Sequence, residues 1–167
     1  MKQEIIDLSK VMPVTAVDIA GVAEAAGQLG IERDAVIDFT ESMIRLSESS
    51  ANLGAEEAAT QLARFANITQ MSEKDFDRLG STILHLGVNS ATTEGEIVEM
   101  GMRLAAAGTQ AGMSEAEIMG FATAMSSLGI EAQAGGTSLS KLITEINVAT
   151  QTGGPRLEEF AQVAGMT

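Results

Sequence analysis

The residues of this chain that could do chemistry are one histidine and several pairs of carboxylates. His85 is the only histidine, and the chain has no cysteine. A catalytic or metal-binding histidine needs partner ligands or a nucleophile, and no second His or Cys can supply one. His85 lies two residues before Gly87 on a predicted helix. We interpret it as a partly exposed helix residue, and the sequence assigns no catalytic, cofactor-binding or metal-binding residue.

The paired carboxylates resemble those that hydrolyse glycosidic bonds. That reaction needs two carboxyl groups held across a cleft, one of them with a raised pKa. Here the pairs stand near the predicted starts of helices, where negative charge complements the helix dipole. Helix capping and solubility are therefore the favoured interpretation, and the pairs are Glu56/Glu57, Glu94/Glu96, Glu115/Glu117 and Glu158/Glu159.

Two glycine-containing segments, GGTS at 135–138 and TGGP at 152–155, could be phosphate-binding loops. A Walker-type loop needs the order Gly-Lys-Ser/Thr after a strand. Neither segment has that order, so both are predicted to be turns.

The chain has 10 methionines, which could line an adaptable binding groove. Most recur at positions of one helix face, which favours a place in the core. Met102 is off the main stripe and is the best methionine candidate for a contact surface. The others considered are Met43, Met100, Met119 and Met125.

Composition and charge narrow the class of partner. The net charge is −13, and the 10 basic residues are scattered singly, which argues against binding to nucleic acid or anionic membranes. The first ten residues lack the apolar core of a signal peptide. The longest uncharged stretch, 79–93, is too short and too polar to span a bilayer.

An internal repeat is the most informative feature of the chain. MSEKDFDRLGSTILHLGV, from Met71, aligns with MSEAEIMGFATAMSSLGI, from Met113, and IERDAVIDFTESMIRL, from Ile31, fits the same frame. The apolar residues are spaced by three and four, as on one helix face. The equivalent positions are Phe39, Leu79 and Phe121; Met43, Ile83 and Met125; and Leu46, Leu86 and Leu128. In the third copy the stripe is Ile118, Phe121, Met125, Leu128.

A second helix follows the first in each copy. Its apolar stripe is Ala58, Leu62, Phe65 in the first copy, Ile97, Met100, Leu104 in the second, and Leu139, Leu142, Ile143, Ile146 in the third. Ile19, Val22, Ala23 and Ala26 form a further helix of this second type. The predicted fold is therefore all-α, with about seven helices in antiparallel hairpins. About three repeats of about 40 residues would form a compact bundle or a short solenoid.

Local signals mark the helix ends. Thr93 with Glu96 and Ser114 with Glu117 have the spacing of a capping box, and Ser72 with Asp75 is a weaker version. Glycines at 30, 87 and 129 follow apolar runs and are predicted to end helices.

These signals divide the chain into three parts. We expect an N-terminal helix in 1–13, closed by Pro13, a helical repeat core in 14–151, and a linker with the truncated start of a next segment in 152–167. Thr167 would be an N-cap with no helix after it, so the chain is expected to be a fragment of a longer protein.

Several blocks, in order, resemble the core region of tail tape-measure proteins of long-tailed phages and prophages. They are VTAVDIAGVAEAAGQLGI, LGVNSATTEGEIVEMGMRLAAAG, AAAGTQAGMSEAEIMGFATAMSSLGIEAQAGGTSLSKL and RLEEFAQVAGMT. Together they extend over nearly the whole chain, from about Thr15 to Thr167.

The resemblance implies a structural role without turnover or cofactor. Such proteins set tail length, template polymerisation of the tail tube and occupy its lumen before DNA ejection. The implied partners are tail-tube subunits, tail assembly chaperones, distal tail proteins and further copies of the protein itself. The implied location is the lumen of the virion tail, and the host cytoplasm during assembly.

Two other functions stay open. The main alternative is a helical protein–protein interaction module or adaptor without a ruler role. Cell-wall hydrolysis comes third, and it predicts a cleft with buried, paired carboxylates.

Overall fold

Helices account for most of the chain in the computed structural model, which describes residues 1–153, 155–163 and 165. No strand occurs within these ranges, so the predicted all-α class is confirmed. The described residues form nine α-helices where about seven were predicted. They are α1 (Lys2–Val11), α2 (Ala16–Gln28), α3 (Val36–Ser49), α4 (Ala55–Thr69), α5 (Phe76–Val88), α6 (Glu94–Gln110), α7 (Glu115–Ser127), α8 (Ala132–Thr152) and α9 (Pro155–Val163), with a 3-10 turn at Glu73–Asp75 before α5. α1 is the N-terminal helix expected in 1–13, and α9 lies in 152–167, where a linker and the start of a next segment were expected.

Capping boxes begin three of the helices. Thr93 and Ser114 accept hydrogen bonds from the backbone N–H three residues on and complete the predicted boxes of α6 and α7. Thr15 makes a third box at α2, which was missed because its partner is Asp18 and not Glu or Gln. The weaker predicted box at Ser72 does not form. The Ser72 hydroxyl instead accepts from Lys74 N in the 3-10 turn.

Two of the three predicted glycine ends are correct. Gly30 has a φ of 90° and Gly129 a φ of 73°, the left-handed conformation that glycine adopts without strain. Gly87 does not end α5, which continues to Val88. Packing explains the glycine at position 87 instead, because a Cβ there would lie 2.4 Å from Glu94 Oε1.

The helices pack in two rows. The second-type helices α2, α4, α6 and α8 contact one another in series, and so do the first-type helices α3, α5 and α7. Contacts of α3 with α2 and α4, and of α6 with α5 and α7, join the rows. α1 packs on α2 and α3 at one end and buries Leu8 there. This order of contacts is that of a short helical array, although the number of repeats stays a prediction.

The core lies between the two rows and is built from the predicted stripes of the first two copies. Phe39 of α3 and Phe76 of α5 meet edge to face, with ring centroids 4.5 Å apart, so an aromatic pair joins successive first-type helices. The largest fully buried side chains are Phe39, Phe65, Phe76, Ile19, Met43, Ile44, Leu46, Leu62, Ile83, Ile97, Met100 and Leu104.

The predicted stripe of the third copy is partly wrong. Phe121 is 50% exposed and Leu128 79% exposed, although their counterparts Phe39 and Leu46 are each 1% exposed. The physical reason is position in the array: α5 follows α3 and packs on it, whereas neither of the described helices that follow α7 makes an extensive contact with it. α7 instead turns its other side to the core, with Ile118, Met119, Ala122 and Thr123 buried.

Candidate functional site

His85 lies in the last turn of α5, with its side chain exposed. Asn89 Nδ2 donates to the carbonyl oxygen of His85 at 2.7 Å and lies 3.4 Å from its Nδ1 atom. Both contacts are local to the end of the helix. Within the described residues, no group of three or more His, Cys, Asp or Glu side chains could hold a metal ion.

Two of the paired carboxylates work as helix caps. Glu117 Oε2 accepts from Ser114 N at 2.8 Å and from Ser114 Oγ at 2.7 Å, and these bonds lower the pKa of Glu117. Glu96 Oε2 accepts from Thr93 N at 2.9 Å and from the hydroxyls of Thr92 and Thr93, which lower its pKa too. A glycosidase acid needs a raised pKa, so both shifts run against hydrolysis.

Two further members of the pairs lie against glycines of neighbouring helices. A Cβ on Gly21 would lie 2.5 Å from Glu56 Oε1, so the carboxylate of α4 crosses the bare backbone of α2. Glu94 crosses Gly87 in the same way, and its Oε2 accepts from Ser50 Oγ at 3.2 Å. Each of these two carboxylates therefore lies against a neighbouring helix.

The prediction that GGTS at 135–138 is a turn is wrong, because the segment lies in the first turns of α8. Gly135 and Gly136 are buried there, against α6. A Cβ on Gly136 would lie 2.4 Å from Arg103 Cβ, so the glycine permits the two helices to approach closely. Within TGGP, α8 ends at Thr152 and Gly153 has a φ of 66°. Gly154 and the predicted N-cap Thr167 lie outside the described residues.

Most of the singled-out methionines fill the core. Met43, Met100 and Met119 are buried, and Met125 is half-buried and packs against the core. Met102, the candidate for a contact surface, is half-buried and packs there too. The exposed apolar surface therefore lies elsewhere.

An open acidic groove of about 950 Å³ runs along α3 beside the 3-10 turn. Glu73 Oε1 accepts from Glu32 N at 2.8 Å across it, which ties the α2–α3 loop to the turn before α5. Its carboxylates outnumber its two basic residues, Arg45 and Lys74, so the groove disfavours anionic ligands. The carboxylates are those of Glu32, Asp34, Asp38, Glu41, Glu73 and Asp77.

Among the described residues from 115 onwards, the larger exposed apolar side chains lie on α7, α8 and α9 and in the loop between α7 and α8. They are Phe121 on α7, Leu142 and Val148 on α8 and Val163 on α9, with Leu128 and Ile130 in the loop. No helix of the described chain is both long and apolar enough to cross a membrane.

Comparison with known proteins identifies the family. The model of the family described as phage-related minor tail protein matches residues 2–166. The chain belongs to this family. The phage-related minor tail proteins are structural tail proteins and not an enzyme family, and the resemblance seen in the sequence is thereby confirmed.

A curated relative carries a more specific name. The chain is 25% identical over 155 residues to a probable tape measure protein of Halomonas phage phiHAP-1. The match covers 88% of this chain and 18% of the relative, so the chain corresponds to a small part of that protein's length. No solved structure matches the chain at a significant level.

Membership in the minor tail protein family changes which features matter. A structural tail protein acts through its surfaces, and the described chain has two distinctive ones. The acidic groove is on α3, and the exposed apolar side chains are on α7 and α8. Sequence reasoning placed the apolar residues in the core and did not group the carboxylates of the groove, because 32–41 and 73–77 are brought together by packing alone.

Proposed function

We propose that this chain is part of a tape-measure protein that sets the length of a phage tail and templates polymerisation of the tail tube. The observation that carries the proposal is the family match over residues 2–166, together with the relative named as a probable tape measure protein. In this proposal the protein occupies the tube lumen until DNA is ejected, and it passes through the host cytoplasm during assembly. It acts by geometry and contact, without catalysis.

The surface chemistry supports this role. With a net charge of −13, the chain repels DNA phosphates, so DNA can pass without being held. The proposed partners are tail-tube subunits, tail assembly chaperones, distal tail proteins and other copies of the protein.

The fold limits how much this region can contribute to the length of the tail. A single helix of 167 residues would be about 250 Å long at 1.5 Å per residue. Here the helices fold back in antiparallel hairpins, so the described region extends over much less. In this proposal most of the measured length comes from other parts of the full-length protein, and this region is a folded module within it.

The test is an in-frame deletion in the phage gene for the full-length protein. Removing about 60 helical residues outside this region should shorten tails by about 90 Å, because each helical residue adds about 1.5 Å. Tail lengths are read by electron microscopy. The control restores the same number of residues with an unrelated helical sequence, and tails should regain their length. Tails of unchanged length after the deletion would refute the ruler role.

The alternative is a helical interaction module without a ruler role. The exposed apolar residues on α7 and α8 favour it, because a module that docks onto a partner presents such a surface. In that case the deletion leaves tail length unchanged, whereas charged substitutions on α7 abolish assembly.

A further inference from the structure

We propose that Met71 and Met113 are sites of reversible oxidation, and that a sulfoxide at either one opens the turn in which it lies. Each methionine follows a second-type helix and precedes the next first-type helix. The proposal concerns two internal turns of the array, and it does not depend on the ruler role.

Three turns between helices share one backbone geometry. In each, an apolar residue donates its N–H to the carbonyl oxygen five residues earlier, and the residue before it has a left-handed backbone. The donors and acceptors are Ile31 with Ala26 at 3.1 Å, Met71 with Ala66 at 3.0 Å and Met113 with Gly108 at 2.9 Å. The left-handed residues are Gly30, Gln70 and Gly112, with φ of 90°, 59° and 76°. This is the Schellman ending of a helix, in which the apolar side chain packs back on the last turn.

The apolar side chain at this position fills the space between two helices. Ile31 is only 7% exposed in the turn between α2 and α3. A Cβ on Gly108 would lie 3.6 Å from Met113 Sδ and 2.6 Å from Cγ1 of Ile118. The thioether of Met113 therefore lies between the end of α6 and the first turn of α7. Met71 packs against the core in the turn between α4 and α5.

Both methionines are accessible to solvent, unlike those of the core. Met71 and Met113 are half-buried, whereas Met43, Met100 and Met119 are at most 1% exposed. Met71 lines the acidic groove and also a smaller cavity of about 120 Å³ between the starts of α5 and α7. A small neutral oxidant such as hydrogen peroxide can reach these turns, and the carboxylates of the groove do not repel it.

Oxidation by hydrogen peroxide converts the thioether into a sulfoxide. A lone pair on Sδ attacks one peroxide oxygen, so that the S–O bond forms as the O–O bond breaks. The second oxygen leaves as water after proton transfer, and the sulfur has given two electrons to the peroxide. Methionine sulfoxide reductases reverse the change: two thiols become a disulfide, and the sulfoxide oxygen leaves as water.

A sulfoxide does not suit a position that packs between helices. Its oxygen is a hydrogen-bond acceptor, and burying it without a donor costs free energy. The N–H groups of Met71 and Met113 already donate within their turns. If the sulfoxide moves out to solvent, the space between the helices is left unfilled. In either case the turn loses its apolar contact, and the first turns of α5 and α7 lose support.

The first test measures which methionines react. The 167-residue chain is treated with dilute hydrogen peroxide, and the sulfoxide at each methionine is measured by peptide mass spectrometry over time. Met71 and Met113 should react at least about tenfold faster than the three core methionines, because reaction requires access to the sulfur.

The second test measures whether the turns open. Hydrogen exchange of 71–76 and 113–118 should become at least about tenfold faster in the oxidised chain. The turn at Ile31 has no sulfur and is an internal control, so its exchange should not change. Treatment with methionine sulfoxide reductases and dithiothreitol should restore the original exchange at both methionine turns.

Leucine variants separate these two sites from other methionines. Met71→Leu/Met113→Leu keeps an apolar side chain of similar volume without the sulfur, so peroxide should not open its turns. The matched control is Met12→Leu, since Met12 is also half-buried but follows α1 in an extended conformation, with a φ of −109°. Both turns of this control should open on oxidation as in the wild type. Met113→Gln places a polar group in the turn and should speed exchange of 113–118 without peroxide.

Four outcomes would overturn the proposal. They are equal reaction rates at the two half-buried sites and the core methionines, unchanged exchange at either turn after oxidation, opening of the turns in the oxidised double leucine variant, and unchanged exchange in Met113→Gln. Tail length is not measured in these tests, so their outcome is separate from that of the ruler experiment.

Discussion

Two buried threonines show how the same residue type contributes differently to stability. Thr123 Oγ1 on α7 donates to the carbonyl oxygen of Met119 at 2.7 Å. Thr40 on α3 is completely buried, and its Oγ1 has no hydrogen-bond partner among the described residues. A buried hydroxyl without a partner costs about 1–3 kcal/mol.

We therefore expect Thr40→Val to increase the free energy of unfolding by about 1 kcal/mol, since valine has the same shape and no polar atom to leave unpaired. Thr123→Val is the matched control, and it should be neutral or lower the free energy by about 1 kcal/mol. Urea denaturation followed by circular dichroism measures both. A loss of stability in Thr40→Val would mean that this hydroxyl is satisfied in solution.

The approach of α8 to α6 depends on the small size of one residue. A Cβ on Gly136 would lie 2.4 Å from Arg103 Cβ, an atom fixed close to its own backbone. By contrast, a Cβ on Gly120, in the middle of α7, would meet nothing within 4 Å. Both glycines lie inside helices, so alanine at either position brings the same gain in helix propensity. Only alanine at position 136 also disturbs the packing, so comparing the two variants isolates the packing effect.

Gly136→Ala should lower the free energy of unfolding by about 1–3 kcal/mol, because α8 must move away from α6 to admit the methyl group. Gly120→Ala should raise it by about 0.5–1 kcal/mol, since alanine favours the helix. Thermal and urea unfolding of both variants test this pair. Equal effects of the two substitutions would show that α8 does not pack closely on α6.

Sequence alone predicted the parts of these elements that depend on local chemistry. The helical class, the capping boxes of α6 and α7 and the buried stripes of α3, α4 and α6 all follow from residue spacing. The exposure of Phe121 could not be predicted, because burial depends on whether another helix covers the stripe. The helical position of GGTS was missed because glycine usually ends helices. Packing explains the two glycines inside α8, since Gly136 lies against Arg103 and Gly135 against the side chains of Met100, Met125 and Ile130.

At the scale of the whole molecule, burial is uneven along the array. α6 buries eight residues, among them Ile97, Met100 and Leu104, and it contacts both rows. α8 is longer, with 21 residues, but buries only Gly135 and Gly136. The described side chains of α9 include no buried residue. Since helices in such arrays are stabilised by their neighbours, local stability should fall towards the C-terminal end.

Hydrogen exchange measured by mass spectrometry should therefore show a gradient. We expect the amides of α4 and α6 to exchange slowest, and those of α9 and of the C-terminal part of α8, beyond Gly136, to exchange fastest. The reason is that opening these last turns exposes little apolar surface, so it costs less free energy than opening α6. Equal protection of α6 and of the C-terminal part of α8 would contradict the gradient, and would mean that the array opens only as a single cooperative unit.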